Sequence, residues 1–293
     1  GRGICRMKRM HRRRAAWLAG LVALLILGGG AVTLTVRGDW RYRVLYTLTP
    51  AETAVLSPVT LQGDTETRRW QELTGAARVT VSDALMLVNR EHPLPDGYAP
   101  ELTALGDWQM TAEVRAAFEA LRERVEAETG ERLLIRSAYR DGAEQREELE
   151  TGGSEIAARP GESEHEAGLA LDVCIRGFGG QAFLKSAAGQ CVNRSCAEEG
   201  FVIRYPMGKT SVTGFAFEPW HLRYVGKTHA AAMAAGKLTL EEYIAGMTPE
   251  QWYACGDTLI LRSAADTVTL PKDFTACTVS PDGCGYRIFT VYP

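Results

Sequence analysis

The sequence predicts an α+β fold for the central part of the chain, and two patterns support this class. Apolar residues recur every three or four positions between residues 111 and 129, which is typical of an amphipathic helix. Short apolar runs at 133–135, 169–173 and 201–205 have the length and composition of buried strands. Because helical and extended segments are separated along the chain, the pattern favours an α+β arrangement.

The predicted domain spans residues 81–246. An extended apolar run begins near residue 85 and leads into a Pro-rich loop, and Gly130 ends the amphipathic helix. Further helices are predicted at 143–150, 190–199 and 238–245, and a fourth strand at 214–217. We interpret residues 37–80 as a polar stalk or linker, and residues 247–293 as a small β-rich appendage.

Length and composition limit the classes of function. The 293 residues suffice for one substantial domain with appendages, and a hydrophobic content of 45% is ordinary for a globular core. The formal net charge of -3 provides no basic field for a polyanion, so nucleic acid is not an expected partner. No protein partner is predicted from the sequence.

Residues 1–36 predict a basic cytoplasmic segment followed by a transmembrane signal-anchor. Seven Lys and Arg residues precede an uncharged run of 22 residues at 15–36. A helix of that length, at about 1.5 Å per residue, crosses a hydrocarbon core of roughly 30 Å. The basic cluster should remain in the cytoplasm, which places the rest of the chain outside the membrane. A cleaved signal peptide is the alternative interpretation.

Six of the seven cysteines follow this predicted anchor. Cys191 and Cys196 are near neighbours, and Cys277 and Cys284 flank a turn-like Pro-Asp-Gly segment. Disulfides are compatible with an exported domain, but the sequence leaves their pairing open.

Two of the five histidines lie in segments that predict a metal site. His165 occurs in a Ser-Glu-His-Glu segment, and His221 ends a Glu-Pro-Trp-His segment. Asp172 lies in a predicted apolar strand, where an unpaired carboxylate would be costly to bury. Two imidazoles and one carboxylate are a common ligand set for a hydrolytic zinc whose fourth position is open to water. We therefore expect zinc on His165, Asp172 and His221.

Glu218 and Arg140 are the candidate catalytic residues. Glu218 precedes His221 by three residues, so a single turn would bring both side chains to one side, where the carboxylate could act as a base on water. Arg140 follows a predicted strand and offers a planar cation for an oxyanion or a substrate carboxylate. The structural alternatives are a helix-start acid for Glu218 and a surface ion pair for Arg140.

These residues belong to motifs that occur in a fixed order. They are Ser137-x-Tyr139-Arg140-x4-Gln145, Ser163-x-His165-x2-Gly168-x-Ala170-x-Asp172 and Glu218-Pro219-Trp220-His221. Together they resemble the VanY-type D-alanyl-D-alanine carboxypeptidases of the LAS metallopeptidase group. The resemblance covers about residues 85–226, and the chain after residue 246 matches no motif of that group.

The resemblance implies a small antiparallel sheet with flanking helices and a zinc ion on His165, Asp172 and His221. It implies that Glu218 is the catalytic base, and that Arg140 stabilises the tetrahedral intermediate. Two further polar residues match substrate-side positions, namely Gln145 and Ser163. The implied substrate is the C-terminal D-alanine of peptidoglycan stem peptides or their precursors, outside a bacterial membrane. Removal of that D-alanine would destroy the target of glycopeptide antibiotics.

Three alternative functions remain at this stage. An L,D-carboxypeptidase would act on tetrapeptide stems with the same chemistry, and an endopeptidase would need a groove that is open at both ends. A non-catalytic cell-wall-binding module would keep the fold without turnover. The intact set of candidate metal ligands and Glu218 argues against the third alternative.

Overall fold

The computed structural model describes residues 38–153 and 157–293. The α-helices of these residues are α1 (Gly38–Leu48), α2 (Trp70–Leu73), α3 (Ala112–Thr129), α4 (Gly142–Gly152), α5 (Ala187–Ser195), α6 (Thr210–Thr213), α7 (Lys227–Gly236) and α8 (Leu240–Ala245). Two 3₁₀ helices span Gly180–Lys185 and Cys196–Glu199. The strands are β1 (Ser57–Val59), β2 (Thr65–Arg69), β3 (Val79–Val81), β4 (Thr103–Leu105), β5 (Trp108–Met110), β6 (Leu134–Ser137), β7 (Ala170–Cys174), β8 (Phe201–Ile203), β9 (His221–Tyr224), β10 (Trp252–Cys255), β11 (Thr258–Ser263), β12 (Thr267–Pro271), β13 (Ala276–Pro281) and β14 (Arg287–Tyr292).

The central unit is a four-stranded antiparallel sheet with helices around it, in the order β6-β7-β9-β8. Helix α3 begins at Thr111, whose side chain accepts a hydrogen bond from the Val114 amide, and it ends at Gly130 with a φ of 70°. One face of α3 buries Val114, Phe118 and Leu121 in the same apolar core as the sheet. The helix and the mixed α and β architecture agree with the sequence-based prediction.

A second sheet of six strands contains the C-terminal strands, in the order β1-β10-β11-β14-β13-β3. Every pairing in it is antiparallel except β13 with β3. Strand β12 pairs instead with β2 in a separate two-stranded ladder. Residues 247–293 are therefore rich in β-strands, as expected, but the six-stranded sheet also needs β1 and β3 from earlier in the chain.

Residues 37–80, interpreted from the sequence as a stalk, contribute strands to this second unit instead. Strand β1 pairs with β10, and β3 pairs with β13, close to 200 residues later in the chain. Val79 and Leu73 are buried in the apolar cluster of the C-terminal strands. Each strand is short and polar on one face, which is why the segment looked like a linker in the sequence.

The two units contact each other at the turn that follows β13. The Leu87 amide donates to the Asp282 carbonyl at 3.1 Å, and the Leu85 amide donates to Ser280 Oγ at 3.0 Å. The Asp282 carboxylate is fully buried and accepts from Arg262 Nε at 2.7 Å. The run near residue 85 is therefore buried as expected, but it is an irregular segment whose amides are satisfied by the C-terminal unit.

The fourth strand of the central sheet is β9, not the predicted strand at 214–217, and that prediction is wrong. Gly214 has a φ of 80° and ends the short helix α6. Thr213 Oγ1 bonds the Phe215 amide, so the chain turns here rather than extending. The extended segment begins seven residues after Gly214, at His221.

The six cysteines in the described part of the chain are all free thiols, so none of the anticipated disulfides is formed among them. The predicted anchor at 15–36 lies outside the described residues. Within residues 38–153 and 157–293, no helix has the length and apolar character needed to cross a membrane.

Candidate active site

Two adjacent strands bring the predicted metal ligands together. Asp172 of β7 and His221 of β9 are direct cross-strand partners. His165 arrives from the loop before β7, where Gly168 adopts a φ of 68° and its amide donates back to the His165 carbonyl. A Cβ atom at position 168 would lie 2.9 Å from Leu102 Cδ2, which would have to shift, but it is the left-handed turn that requires glycine.

The three side chains converge on one point. Asp172 Oδ1 lies 3.7 Å from His165 Nε2 and 3.3 Å from His221 Nδ1. One ligand atom from each residue falls within 4.8 Å of the other two. His165 Nδ1 lies 2.6 Å from the Ala138 carbonyl and therefore carries the proton, which leaves the Nε2 lone pair facing Asp172.

This donor set fits a metal ion. His165 Nε2 and Asp172 Oδ1 are buried and have no hydrogen-bond partner among the described residues. Buried polar atoms are normally paired, so two such atoms that converge on one point fit the coordination of a cation. Two imidazole nitrogens and a carboxylate oxygen are the ligands that a catalytic zinc prefers.

Glu218 lies beside this cluster, as the sequence predicts. Its Oε2 atom is 3.5 Å from His221 Nδ1, and a turn closed by the His221 amide and the Glu218 carbonyl brings the two side chains together. The Glu218 amide donates to the Tyr205 carbonyl, so its backbone does not start a helix. The position suits a base that acts on water near the metal ligands.

Burial and neighbouring charges shift the pKa values of the side chains at this site. Burial lowers the pKa of His165, and it raises the pKa of Glu218 to about 7. Burial opposes ionisation of Asp172, but the imidazoles of His165 and His221 hold its pKa well below the ordinary value. Burial likewise opposes protonation of His221, and the carboxylates of Asp172 and Glu164 raise its pKa to about 9.

The three candidate ligands and Glu218 line a pocket with a volume of about 240 Å³, and Arg140 lines it as well. Its guanidinium Nη1 lies 3.6 Å from Glu148 Oε2, while Nε is buried without a partner in the described part of the chain. The surface ion pairs considered from the sequence, with Asp141 or Glu144, are not formed; those two residues form a capping box at the start of α4. Arg140 therefore keeps hydrogen-bonding capacity within the pocket.

The two substrate-side candidates lie in different positions. Ser163 lines the pocket, and its Oγ accepts a hydrogen bond from the His165 amide. Gln145 is fully buried and donates to the Ala158 carbonyl at 2.8 Å. Because Ala158 lines the pocket and Gln145 does not, Gln145 positions the wall of the pocket in this structure.

Two residues of the site were not identified from the sequence. Glu164 is buried next to His221, and the Tyr205 ring lies 4.8 Å from the His221 ring. For Glu164, the sequence shows only a charged residue next to the predicted ligand His165, and charged residues are usually exposed. Tyr205 also lines a larger cavity of about 640 Å³, which shares Ala157, Ala158 and Phe215 with the metal-ligand pocket.

Comparison with known proteins gives consistent results. The family model of VanY, D-alanyl-D-alanine carboxypeptidase, matches residues 107–227. The bifunctional D-Ala-D-Ala dipeptidase and D-Ala-D-Ala carboxypeptidase VanXYC of Enterococcus gallinarum is 35% identical over 179 residues, which are 55% of this chain and 93% of that protein. Three further curated relatives are matched over 36% to 66% of their own length.

Two solved structures show the same architecture. The vancomycin resistance D,D-pentapeptidase VanY, solved with Zn(II), has a TM-score of 0.51 at 29% identity, over 56% of this chain and 99% of that one. The LD-carboxypeptidase LdcB has a TM-score of 0.50 at 35% identity, over 54% of this chain and 84% of that one.

The fold and the site together define an enzyme of the peptidase class, with the architecture of a carboxypeptidase. More particularly, the chain belongs to the VanY family of D-alanyl-D-alanine carboxypeptidases.

Proposed function

We propose that this protein is a zinc-dependent carboxypeptidase that removes the C-terminal D-alanine from stem peptides of peptidoglycan or its precursors. One observation carries the proposal. One ligand atom from each of His165, Asp172 and His221 faces a single pocket, and these atoms lie within 4.8 Å of one another. Glu218 Oε2 lies 3.5 Å from His221 Nδ1. This combination has the parts needed for hydrolysis: metal ligands, an adjacent carboxylate and a nearby arginine.

Each side chain has a distinct part in this proposal. A bound zinc ion would polarise the scissile carbonyl and lower the pKa of water. Glu218 takes a proton from the attacking water and passes it to the leaving amine, a role that its position 3.5 Å from His221 Nδ1 allows. Arg140 either stabilises negative charge on the carbonyl oxygen or binds the terminal carboxylate of the substrate.

The D,D-carboxypeptidase assignment is supported by the relatives. The VanY family model and VanXYC carry D-Ala-D-Ala activities in their names. The solved VanY is a D,D-pentapeptidase, and VanYB has been solved with D-alanine-D-alanine. The L,D-carboxypeptidase alternative has a specific observation of its own, since LdcB is 35% identical over the matched region.

We also propose that residues 15–36 anchor the protein in the membrane with the peptidase domain outside the cytoplasm. The basic residues before this run and its length of 22 uncharged residues support the proposal. Flotation of the full chain with lipid vesicles, compared with a chain that begins at Gly38, would test it. Co-flotation of both chains to the same extent would contradict it.

The substrate assignment is tested by measuring D-alanine release by the full chain from three peptides. A pentapeptide stem ending in D-Ala-D-Ala should be cleaved in the presence of zinc, and excess chelator should abolish the cleavage. Faster release from a tetrapeptide stem would replace the D,D assignment with the L,D assignment. Cleavage of a crosslinked dimer at an internal bond would indicate an endopeptidase, and metal binding without any cleavage would indicate a binding module.

A further inference from the structure

Glu164 is a buried carboxylate directly behind the metal-ligand cluster. Its side chain is about 1% exposed, and its Oε1 atom accepts two hydrogen bonds from arginines. Arg204 Nε donates to it at 2.6 Å and Arg223 Nη1 donates to it at 2.7 Å. Both guanidinium groups are themselves almost fully buried. A carboxylate held by two buried cations is ionised and fixed in orientation.

The other oxygen of Glu164 faces His221. Glu164 Oε2 lies 3.8 Å from His221 Nε2, and both atoms are buried without a hydrogen-bond partner among the described residues. This separation is longer than a hydrogen bond but lies within the range of an ion pair.

The opposite nitrogen of the same ring faces the metal-ligand cluster, since Nδ1 lies 3.3 Å from Asp172 Oδ1. A neutral imidazole carries its proton on one nitrogen and a lone pair on the other. An acceptor at Nε2 therefore selects the tautomer whose lone pair is on Nδ1, where a metal can bind.

We propose that Glu164 is a positioning residue that accepts the Nε2 proton of His221 and thereby presents the Nδ1 lone pair to the metal. The inference rests on the proposed metal-dependent function and deepens it. Metal-bound histidines commonly donate their second nitrogen to a carboxylate, and loss of that carboxylate commonly lowers metal affinity.

The surrounding ion pairs explain why Glu164 keeps its place. Arg223 and His221 are two residues apart on β9 and so project from the same face of the strand. Arg223 Nη2 also donates to the Ala84 and Met86 carbonyls, which ties this group to the buried segment before the Pro-rich loop. Arg204 makes a second, two-point ion pair with Glu241 at 2.6 and 2.9 Å.

The substitution Glu164→Gln tests the tautomer directly. The two guanidinium donors should attract the amide oxygen of glutamine to the present position of Oε1. The amide NH₂ would then face His221 Nε2, which would have to accept a hydrogen bond and transfer its proton to Nδ1. We expect the zinc affinity of the full chain to fall about 10- to 100-fold, as measured by competition with a chromophoric chelator.

Glu241→Gln is the matched control, because it also removes a carboxylate from Arg204, while the Glu241 side chain bonds Arg204 and Asn89 rather than His221. Both variants should lose thermal stability in excess chelator. Only Glu164→Gln should lose zinc affinity, while Glu241→Gln should stay within about twofold of the wild-type chain. Equal zinc affinity in wild type and Glu164→Gln would overturn the inference, and so would an equal loss in Glu241→Gln.

Glu164→Asp provides a second variant in case glutamine prevents folding. Aspartate keeps the negative charge for the arginines but is one methylene shorter, so the oxygen that faces His221 should recede and zinc affinity should again fall. Unchanged affinity in this variant would overturn the inference. Because zinc binding is measured without turnover, a wild-type chain that binds no zinc would instead contradict the proposed function.

Discussion

Asp172 Oδ1 lies 3.3 Å from His221 Nδ1 because the two residues are cross-strand partners in β7 and β9. Directly opposed residues of an antiparallel pair project to the same face of the sheet and lie close together. The geometry of this pair of candidate metal ligands is therefore fixed by backbone hydrogen bonding, while His165 comes from a loop that Gly168 allows to bend.

Replacement of Asp172 by asparagine should prevent tight zinc binding. Loss of a residue behind a ligand commonly costs about 10- to 100-fold in affinity, so loss of a charged ligand should cost more than about 100-fold. Zinc competition titration of the full chain measures this effect. The exposed turn variant Asp257→Asn is the control and should bind zinc as the wild type does. Retention of wild-type affinity by Asp172→Asn would show that the metal, if bound, has other ligands.

Removal of residues 1–81 should destabilise the remaining chain. It deletes β1 and β3, which are the two outer strands of the six-stranded sheet, and it exposes the edges of β10 and β13. Open edges promote association between chains. We expect a lower thermal midpoint and increased light scattering. A chain that begins at Pro50 keeps every strand and should be stable and monodisperse; similar behaviour of the two chains would contradict the observed pairing.

Gly283→Ala should be strongly destabilising. Gly283 has a φ of 76°, and a Cβ atom there would lie 2.3 Å from the Leu87 carbonyl oxygen. The clash adds to the cost of a left-handed conformation, so we expect a loss of about 3 kcal/mol or more in unfolding free energy. Gly285 has a φ of 94° with no atom near its Cβ position, so Gly285→Ala should lose only about 1–2 kcal/mol. Equal losses in urea unfolding would mean that Leu87 moves away easily.

Stability should fall between about pH 6.5 and pH 4 because of His229. This residue is buried between Tyr243 and Thr290, and each of its ring nitrogens lies 2.8 Å from one of their hydroxyl oxygens. Burial lowers its pKa to about 4, below the ordinary value, so the unfolded chain binds the proton more tightly. The stability that neutral His229 contributes is fully present above the ordinary pKa of about 6.5. It is lost as the pH falls towards 4, and the total loss in unfolding free energy is about 3 kcal/mol.

Urea unfolding at several pH values measures this loss. His229→Gln should reduce the slope of unfolding free energy against pH in that range. Thr290→Val removes one hydrogen-bond partner but keeps the imidazole, so it should keep the slope while lowering overall stability. An unchanged slope in His229→Gln would assign the pH dependence to other groups.

The sequence was informative where the signal is local. Helix α3 has an apolar period, a capping threonine and a terminal glycine within about twenty residues, and its predicted limits agree with the structure. The predicted metal ligands and Glu218 also lie within short motifs, and the structure brings them together within one pocket.

The sequence was uninformative where the structure depends on distant pairing. Strands β1 and β3 are three residues each and become recognisable only beside β10 and β13, so residues 37–80 were interpreted as a stalk. The role of Glu164 likewise requires that Arg204 and Arg223 meet it in space. Neither arginine is near Glu164 in the chain.

We propose that Glu218 activates the attacking water beside a metal that it does not itself bind. The most direct test measures zinc content and D-alanine release together, in the full wild-type chain and in Glu218→Gln. We predict about one zinc per chain in both proteins and a rate of release that is lower in the variant by about 10²- to 10⁴-fold. Loss of zinc from Glu218→Gln, or turnover at the wild-type rate, would contradict the account.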